Sequence, residues 1–171
     1  MLAISGSLRQ QSLNPRLIRA LQQHLAADAS IELATLHDIP LYNGDEEERD
    51  GIPAAVERLR TRINAADALI LATPKYNAGM LGVLKNALDW LSRPPELVAA
   101  TFAGKPLALC AAAPGSLSVL RPFKLRLYSE HLRVSSAHQQ LHAADSTDDW
   151  LAATLDRWLA GFIVFAGSSS C

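Results

Sequence analysis

The stretch Ala68–Ala72 has the sequence Ala-Leu-Ile-Leu-Ala, and Thr73-Pro74 follows it directly. Its unbroken apolarity predicts a strand that is buried on both faces, and the Thr-Pro pair predicts where that strand stops. Strands of this kind belong to parallel sheets whose two faces are covered by helices. The stretch therefore predicts an α/β protein built on a parallel sheet.

The segments on either side of this strand alternate between short apolar runs and amphipathic stretches. Further strands are predicted at Leu2–Ile4, Ile31–Leu36, Leu107–Ala113 and, more weakly, Arg133–Ala137. The predicted helices are Asn14–Ala27, a helix opened by Pro53 with its apolar stripe at Val56, Leu59 and Ile63, Leu81–Leu91, Val119–His131, and a last helix containing Trp150, Leu155 and Trp158. Five strands alternating with five helices predict one doubly wound α/β domain over residues 1–171.

Composition excludes several classes of protein. The 171 residues are 49% hydrophobic and 19% charged, which is typical of a globular chain. Because 16 basic residues balance 17 acidic ones, no electrostatic footprint for nucleic acid or a membrane surface is expected. Two cysteines, Cys110 and Cys171, do not make a disulfide framework, and no signal peptide is recognisable. A cytoplasmic protein is predicted.

Three loops are candidates for the functional site. In doubly wound sheets, ligands bind beyond the carboxyl ends of the strands, where the strand order reverses. The loops that follow the first, third and fourth predicted strands are Ser5–Asn14, Thr73–Gly79 and Ala113–Ser118. We therefore expect the binding residues in these loops.

The first loop has the composition of a phosphate site. Ser7, Ser12 and Asn14 are short polar residues at the start of a predicted helix, and Arg9 adds a cation. Free backbone N–H groups and the positive end of the helix dipole attract a phosphate dianion there. The loop has neither the Gly-Lys-Ser/Thr ending of a Walker loop nor the Gly-x-Gly-x-x-Gly pattern of a dinucleotide loop. The alternative is an ordinary N-capped turn with a surface arginine.

The second loop offers a flat side chain and a constrained backbone. Tyr76 supplies an apolar ring face and Asn77 an amide, while Pro74 and Gly79 fix the chain so that its amides can meet a heteroaromatic edge. A tyrosine in a loop often serves packing alone. Its place after a central strand favours a role in binding.

The chain resembles the NADPH-dependent FMN reductase family, which has a flavodoxin-like three-layer fold and includes quinone and chromate reductases. The family's phosphate loop, Gly-Ser-x-Arg-x-x-Ser-x-Asn, is matched at every fixed position from Gly6 to Asn14. Its Thr-Pro-Glu-Tyr-Asn segment is matched at Thr73–Asn77 except at Lys75, and its Gly-x-Leu-Lys-Asn-x-Leu-Asp-Trp helix is matched at Gly82–Trp90. Ile39–Asn43 is similar to the family's Leu-Pro-x-Tyr-Asn. The resemblance covers about residues 1 to 135.

The resemblance implies an FMN site and assigns residues to it. Ser7, Arg9, Ser12 and Asn14 would hold the FMN phosphate. The isoalloxazine would be bordered by residues of the second and third loops: Pro74, Lys75, Tyr76, Asn77, Pro114 and Gly115. The chain departs from the family at Lys75, where glutamate is usual, and at Ser118-Val119, where the family has paired glycines.

The resemblance also implies an activity. Hydride would pass from NADPH or NADH to FMN and then to a small-molecule acceptor, and because the flavin performs this chemistry no catalytic side chain is assigned. The alternatives are a quinone, azo or chromate reductase, a flavodoxin-type electron-transfer protein, and a flavin-binding module without reductase activity. No metal site is predicted, since His138 and His142 have helical spacing but no third ligand nearby.

Self-association is expected as well. The family is usually dimeric or tetrameric, and a neighbouring subunit can close a flavin pocket. We predict that Trp90, Leu91, Trp150 and Trp158 supply apolar surface for a homodimer or homotetramer.

Overall fold

A five-stranded parallel sheet forms the centre of the computed structural model, which describes residues 1–77, 79–110, 119–129, 132 and 149–168, with the backbone alone at 75 and 149–151. Its strands are β1 (Leu2–Ser5), β2 (Glu32–Ala34), β3 (Leu69–Ala72), β6 (Pro106–Cys110) and β7 (Arg126–Leu127). They lie in the order β2-β1-β3-β6-β7, and every pair is parallel. This is the strand order of flavodoxin-like sheets. The predicted fold class is confirmed.

The reversal of strand order falls between β1 and β3. After β1 the chain adds β2 on one side, and β3 then pairs with β1 on the other side. The register ends with Ser5 opposite Ala72, and the N–H of Gly6 donates to the Ala72 carbonyl at 2.7 Å. The first and second loops therefore leave the sheet side by side.

The described ranges contain six α-helices, and all but α2 (Gly44–Asp50) pack apolar side chains on the two faces of the sheet. They are α1 (Leu13–Gln23), α2 (Gly44–Asp50), α3 (Ala54–Ala65), α4 (Gly82–Leu91), α5 (Glu96–Phe102) and α6 (Asp149–Gly167). Apolar side chains of α3, α4 and α5 share one buried cluster with alternate strand residues, and those of α1 and α6 share the other. The helices thus form the two outer layers of a three-layer sandwich.

The two faces of the sheet differ in side-chain size. Leu2 and Ile4 of β1, with the leucines of β3 and β6, point to the α3–α5 face. Small residues such as Ala3 and Ala108 alternate with them and point to the α1–α6 face. The small side chains leave room for the bulky Trp158 and Phe162 of α6, which are both buried.

The predicted helix over Val119–His131 is wrong. Helix occupies only the start of this range, a 3₁₀ turn follows at Arg121–Phe123, and β7 is the fifth strand. The backbone cannot continue as a helix because Lys124 has a positive φ of 51°. An isolated parallel bridge joins Leu132 to Cys110 beyond β7. The predicted strand Arg133–Ala137 lies outside the described residues.

Other boundaries also differ from the prediction. Helix α1 ends at Gln23 rather than near Ala27. The acidic segment after Asn43, predicted as a turn, forms α2, and α5 has no counterpart among the predicted helices. The predicted strand Leu107–Ala113 is observed as Pro106–Cys110, and residues 111–113 lie outside the described ranges.

Candidate functional site

The first loop buries three polar side chains. Ser7 and Ser12 are each 8% exposed and Asn14 is 4% exposed, whereas Arg9 is exposed. The Ser7 hydroxyl accepts the Arg9 N–H at 3.3 Å, and the Ser12 hydroxyl caps α1 by accepting the Asn14 N–H at 3.2 Å. The sequence prediction that these residues meet at the start of a helix is correct.

One buried polar atom of this loop has no internal partner. The side-chain nitrogen Nδ2 of Asn14 finds no hydrogen-bond acceptor among the described residues. A buried donor without an acceptor costs free energy, so such an atom needs an explanation. A phosphate oxygen would satisfy it. The first turn of α1 also contains no acidic side chain that would repel an anion. These residues fit a phosphate group.

The first and second loops touch at Gly6. A Cβ atom built on Gly6 would lie 3.0 Å from both Cβ and Oγ1 of Thr73 and 3.2 Å from Cδ2 of Leu84. Thr73 is fully buried, and its hydroxyl accepts the N–H of Leu81 at 3.5 Å. The absence of a side chain at Gly6 therefore lets the two loops approach each other.

The second loop forms a short hairpin that the sequence did not predict. Strands β4 (Lys75–Tyr76) and β5 (Gly79–Met80) pair in antiparallel register, with Lys75 opposite Met80. Tyr76 is 60% exposed, and Asn77 takes a left-handed conformation with φ of 48° at the turn. The hairpin presents a ring face at the carboxyl end of β3, where the fold binds ligands.

The third predicted loop, Ala113–Ser118, lies outside the described residues. Pro114 and Gly115, the residues predicted to border a flavin there, lie outside the described ranges, as do His138 and His142. In the part of the chain that the structure does describe, no group of three or more His, Cys, Asp or Glu side chains could hold a metal ion. Within the same ranges, none of the helices has the length and apolar character needed to cross a membrane.

The segment Pro40–Tyr42 is held by hydrogen bonds against α4, the helix that follows the hairpin in the chain. Asn86 donates from Nδ2 to the Pro40 carbonyl at 2.7 Å and accepts the Tyr42 N–H through Oδ1 at 2.8 Å. The Trp90 indole N–H donates to the same Pro40 carbonyl at 2.9 Å. The Tyr42 ring meets the Trp90 ring edge to face, with centroids 4.9 Å apart. Hydrogen bonds and a ring contact thus join the motif Ile39–Asn43 to the motif Gly82–Trp90.

An ion pair supports this segment from α2. Glu47, whose side chain is 14% exposed, accepts hydrogen bonds from the Tyr42 hydroxyl at 2.8 Å and from Nε of Arg93 at 2.9 Å. The bond from Tyr42, together with Arg93, holds the pKa of Glu47 below its ordinary value. The same bond raises the pKa of Tyr42. Sequence analysis missed this contact because Glu47 and Arg93 are 46 positions apart.

Comparison with known proteins decides the family. The sequence model of NADPH-dependent FMN reductases matches residues 1–147, which is most of the chain. The chain belongs to the NADPH-dependent FMN reductase family. This confirms the predicted family, whose description names NADPH and FMN.

Relatives within the family differ in the activity they are named for. The chain is 50% identical over 121 residues to an NAD(P)H-dependent FMN reductase of Pseudomonas aeruginosa, and 38% identical over 122 residues to a quinone reductase of Escherichia coli K12. Each match covers 71% of this chain and 63% of the relative. The chain thus spans less than two thirds of the length of these curated relatives.

A solved structure of an oxidoreductase has the same fold over nearly the whole length of this chain. FerB, a flavoenzyme NAD(P)H:(acceptor) oxidoreductase from Paracoccus denitrificans, superposes with a TM-score of 0.77 at 31% identity. The superposition covers 96% of this chain and 95% of FerB. The flavodoxin-like architecture of the NADPH-dependent FMN reductase family therefore extends beyond the residues that the sequence motifs cover.

Proposed function

We propose that the protein binds FMN and acts as an NAD(P)H-dependent oxidoreductase of the FMN reductase type. The observation that carries this proposal is the buried, unpartnered Nδ2 of Asn14 beside two buried serines at the start of α1. When bound, FMN supplies hydride transfer from the nicotinamide and passes the electrons to an acceptor. Family membership and the sheet's switch point support the same assignment.

The phosphate end of FMN is assigned to the first loop. Ser7, Ser12 and Asn14 donate hydrogen bonds to it, and Arg9 adds a charge-assisted bond from the exposed tip. The loop offers one arginine and short polar caps, which suit a terminal phosphate better than the bridging pyrophosphate of FAD or NAD. The ring end of FMN is assigned to the second and third loops: Pro74, Lys75, Tyr76, Asn77, Pro114 and Gly115.

The acceptor is a small molecule. FMN reductase activity is the first assignment, because the Pseudomonas aeruginosa relative with 50% identity is named for it. Quinone reduction is the second candidate, since the Escherichia coli relative is named for that activity. A flavodoxin-type electron carrier is disfavoured by the net charge of −1, which gives no strong field for docking to a redox partner.

A flavin-binding experiment tests the phosphate assignment. We expect FMN to bind the purified protein much more tightly than riboflavin, measured by quenching of flavin fluorescence. Arg9→Ala should weaken FMN binding by about 1.5–3 kcal/mol through loss of a charged hydrogen bond, and should leave riboflavin binding unchanged. The control is Arg19→Ala, which removes an exposed arginine from α1. Equal affinity for FMN and riboflavin in the wild-type protein would contradict the assignment.

We also propose that residues 1–171 form a single cytoplasmic FMN-binding domain that associates into a homodimer or homotetramer. The apolar residues of α6 join the same buried cluster as those of α1 and β6, which supports one domain.

The predicted interface residues are wrong in three cases, because Trp90, Leu91 and Trp158 are buried inside the chain. The side chain of Trp150 lies outside the described part of the structure. Leu41, Tyr76 and Val164 are the large apolar side chains most exposed in the described ranges.

A further inference from the structure

His37 reaches across from the neighbouring loop to the tip of the first loop. Its Nε2 atom lies 3.1 Å from the carbonyl oxygen of Leu8, within hydrogen-bond distance. A carbonyl oxygen can only accept, so Nε2 carries the hydrogen and donates it. This contact links two loops that are 29 positions apart in the chain.

The geometry around His37 is fixed by its own turn. Leu36 is 2% exposed and anchors the segment in the core. The N–H of Ile39 donates to the Leu36 carbonyl at 3.3 Å, which closes a turn with His37 at its second position. Because β2 pairs with β1, this turn leaves the sheet next to the first loop. The imidazole is thus carried by a hydrogen-bonded turn that packs into the core through Leu36.

The tip of the first loop needs such support. Leu8 is 37% exposed, and Arg9 and Gln10 are exposed beside it. Inside the loop, the hydroxyl of Ser7 and the carbonyl of Arg9 accept backbone hydrogen bonds, the latter from the Ser12 N–H at 3.0 Å. The bond from His37 holds the carbonyl of Leu8, directly before the residue assigned to bind phosphate.

We propose that His37 is a positioning residue for the cofactor phosphate: it holds the loop that carries Arg9 in the conformation that receives the dianion. This inference rests on the proposed FMN function. His37 acts through Leu8 and need not touch the cofactor. A loop already held in its binding conformation loses less conformational entropy when the ligand arrives, so removing the anchor weakens binding of the phosphate group.

Three substitutions at one position test the anchor. In glutamine, Nε2 stands the same number of bonds from Cα as the Nε2 of histidine, so His37→Gln can keep the donor in reach of Leu8. In asparagine the amide nitrogen is one bond closer to the backbone and falls short. We expect His37→Ala and His37→Asn to weaken FMN binding by about three- to tenfold, the effect of one lost hydrogen bond, and His37→Gln to restore it.

Riboflavin separates a positioning role from a general loss of structure. Riboflavin has no phosphate, so its affinity should be equal in all four proteins, and the FMN-to-riboflavin affinity ratio should fall only in the alanine and asparagine variants. An unchanged ratio in His37→Ala, or an equal fall in His37→Gln, would overturn the role of His37 while leaving the FMN function intact. A wild-type protein that binds neither flavin would overturn the proposed function and this inference with it.

Discussion

At the scale of single residues, Gly6 stands where the chain leaves β1 and the two candidate loops meet. Any side chain there would press on Thr73, which is fully buried and cannot turn outward into solvent. Sequence analysis placed Gly6 in the phosphate loop, but it could not show which residue faces it, since 67 positions separate Gly6 from Thr73. The close approach is a property of the sheet register.

We predict that Gly6→Ala destabilises the protein by about 1–3 kcal/mol, the usual cost of overpacking. Its Cβ would sit 3.0 Å from two atoms of Thr73, so the loops must move apart. Urea unfolding measures the change, and FMN affinity should fall with it. The control is Gly82→Ala at the start of α4, where a Cβ meets nothing within 4 Å. That variant should be equal to the wild type or slightly more stable. Equal stability of the two alanine variants would contradict the prediction.

The site residues that sequence analysis found and missed differ in how far apart they are in the chain. Ser7, Ser12 and Asn14 act within a single strand-to-helix turn, and local capping rules were sufficient to group them. The bond between Tyr42 and Asn86 joins positions 44 apart, so no spacing rule could reveal it. A signal was present nevertheless, because both residues lie in motifs that the chain shares with its family.

At the scale of elements, a stretch is predicted well where its ends carry clear stop signals such as proline or glycine. The strand Ala68–Ala72 was found almost to the residue, because it is fully apolar and is followed by Thr-Pro. The range Val119–His131 failed because its apolar residues have helical spacing, while the left-handed backbone at Lys124 ends the helical path. Lysine gives no warning of a positive φ, as glycine or asparagine would.

Helix α2 shows how a short polar element can matter to its neighbours. It carries Glu47 into contact with Tyr42 and Arg93, and thereby braces the segment that α4 holds through Asn86. The first turn of α2 carries acidic side chains, beginning with Asp45. Their negative charges are favourable beside the positive end of the helix dipole. The acidic run that sequence analysis took for a turn is therefore a helix with a defined partner.

The pKa of Glu47 leads to a prediction about pH. The bond from Tyr42 and the charge of Arg93 lower this pKa in the folded state. The carboxylate therefore stabilises the fold at any pH above 4.5, which is the ordinary pKa of a glutamate side chain. That contribution is lost as the pH falls from 4.5 through the lower value of the folded state. We expect the melting temperature of the wild type to exceed that of Glu47→Gln near neutral pH, and the difference to shrink below about pH 4.5.

A matched variant separates this effect from general acid unfolding. Glu48 lies next to Glu47 on α2 but is exposed. Glu48→Gln should melt within about 1 °C of the wild type near neutral pH, as exposed substitutions usually change stability little. If Glu47→Gln behaves in the same way at every pH, the contact with Tyr42 and Arg93 does not stabilise the fold.

At the scale of the whole molecule, the sheet has one leucine-rich face and one face with small side chains. The continuous apolar runs predicted burial on both sides, and the structure confirms it for β1, β3 and β6. They could not say which helices cover which face, because both sets are apolar. The large residues Trp90 and Trp158 were therefore predicted as surface, although each fills the core on its own side of the sheet.

Self-association is a property of the whole molecule, and two exposed apolar side chains bear on it. Leu41 is 81% exposed although its neighbours are held firmly by α4, and Tyr76 is 60% exposed on the hairpin of the candidate site. We infer that these two side chains belong to the subunit interface, since an interface would remove their apolar surface from water. A second subunit that covered Tyr76 would also cover part of the candidate site, as the resemblance to the family implies.

We predict that light scattering at micromolar concentration gives a mass at least twice the 18.5 kDa of the chain. Leu41→Ser should shift the protein toward monomer, because the interface would lose the burial of a leucine, about 1.5–3 kcal/mol for a fully covered side chain. Val164→Ser is the matched control: it also removes an exposed apolar side chain, 74% accessible, but from α6 rather than from the segment held by α4. A single 18.5 kDa species in the wild type would contradict self-association. An equal shift in both variants would contradict the placement of the interface, since it would mean that α6 contributes as much as the segment held by α4.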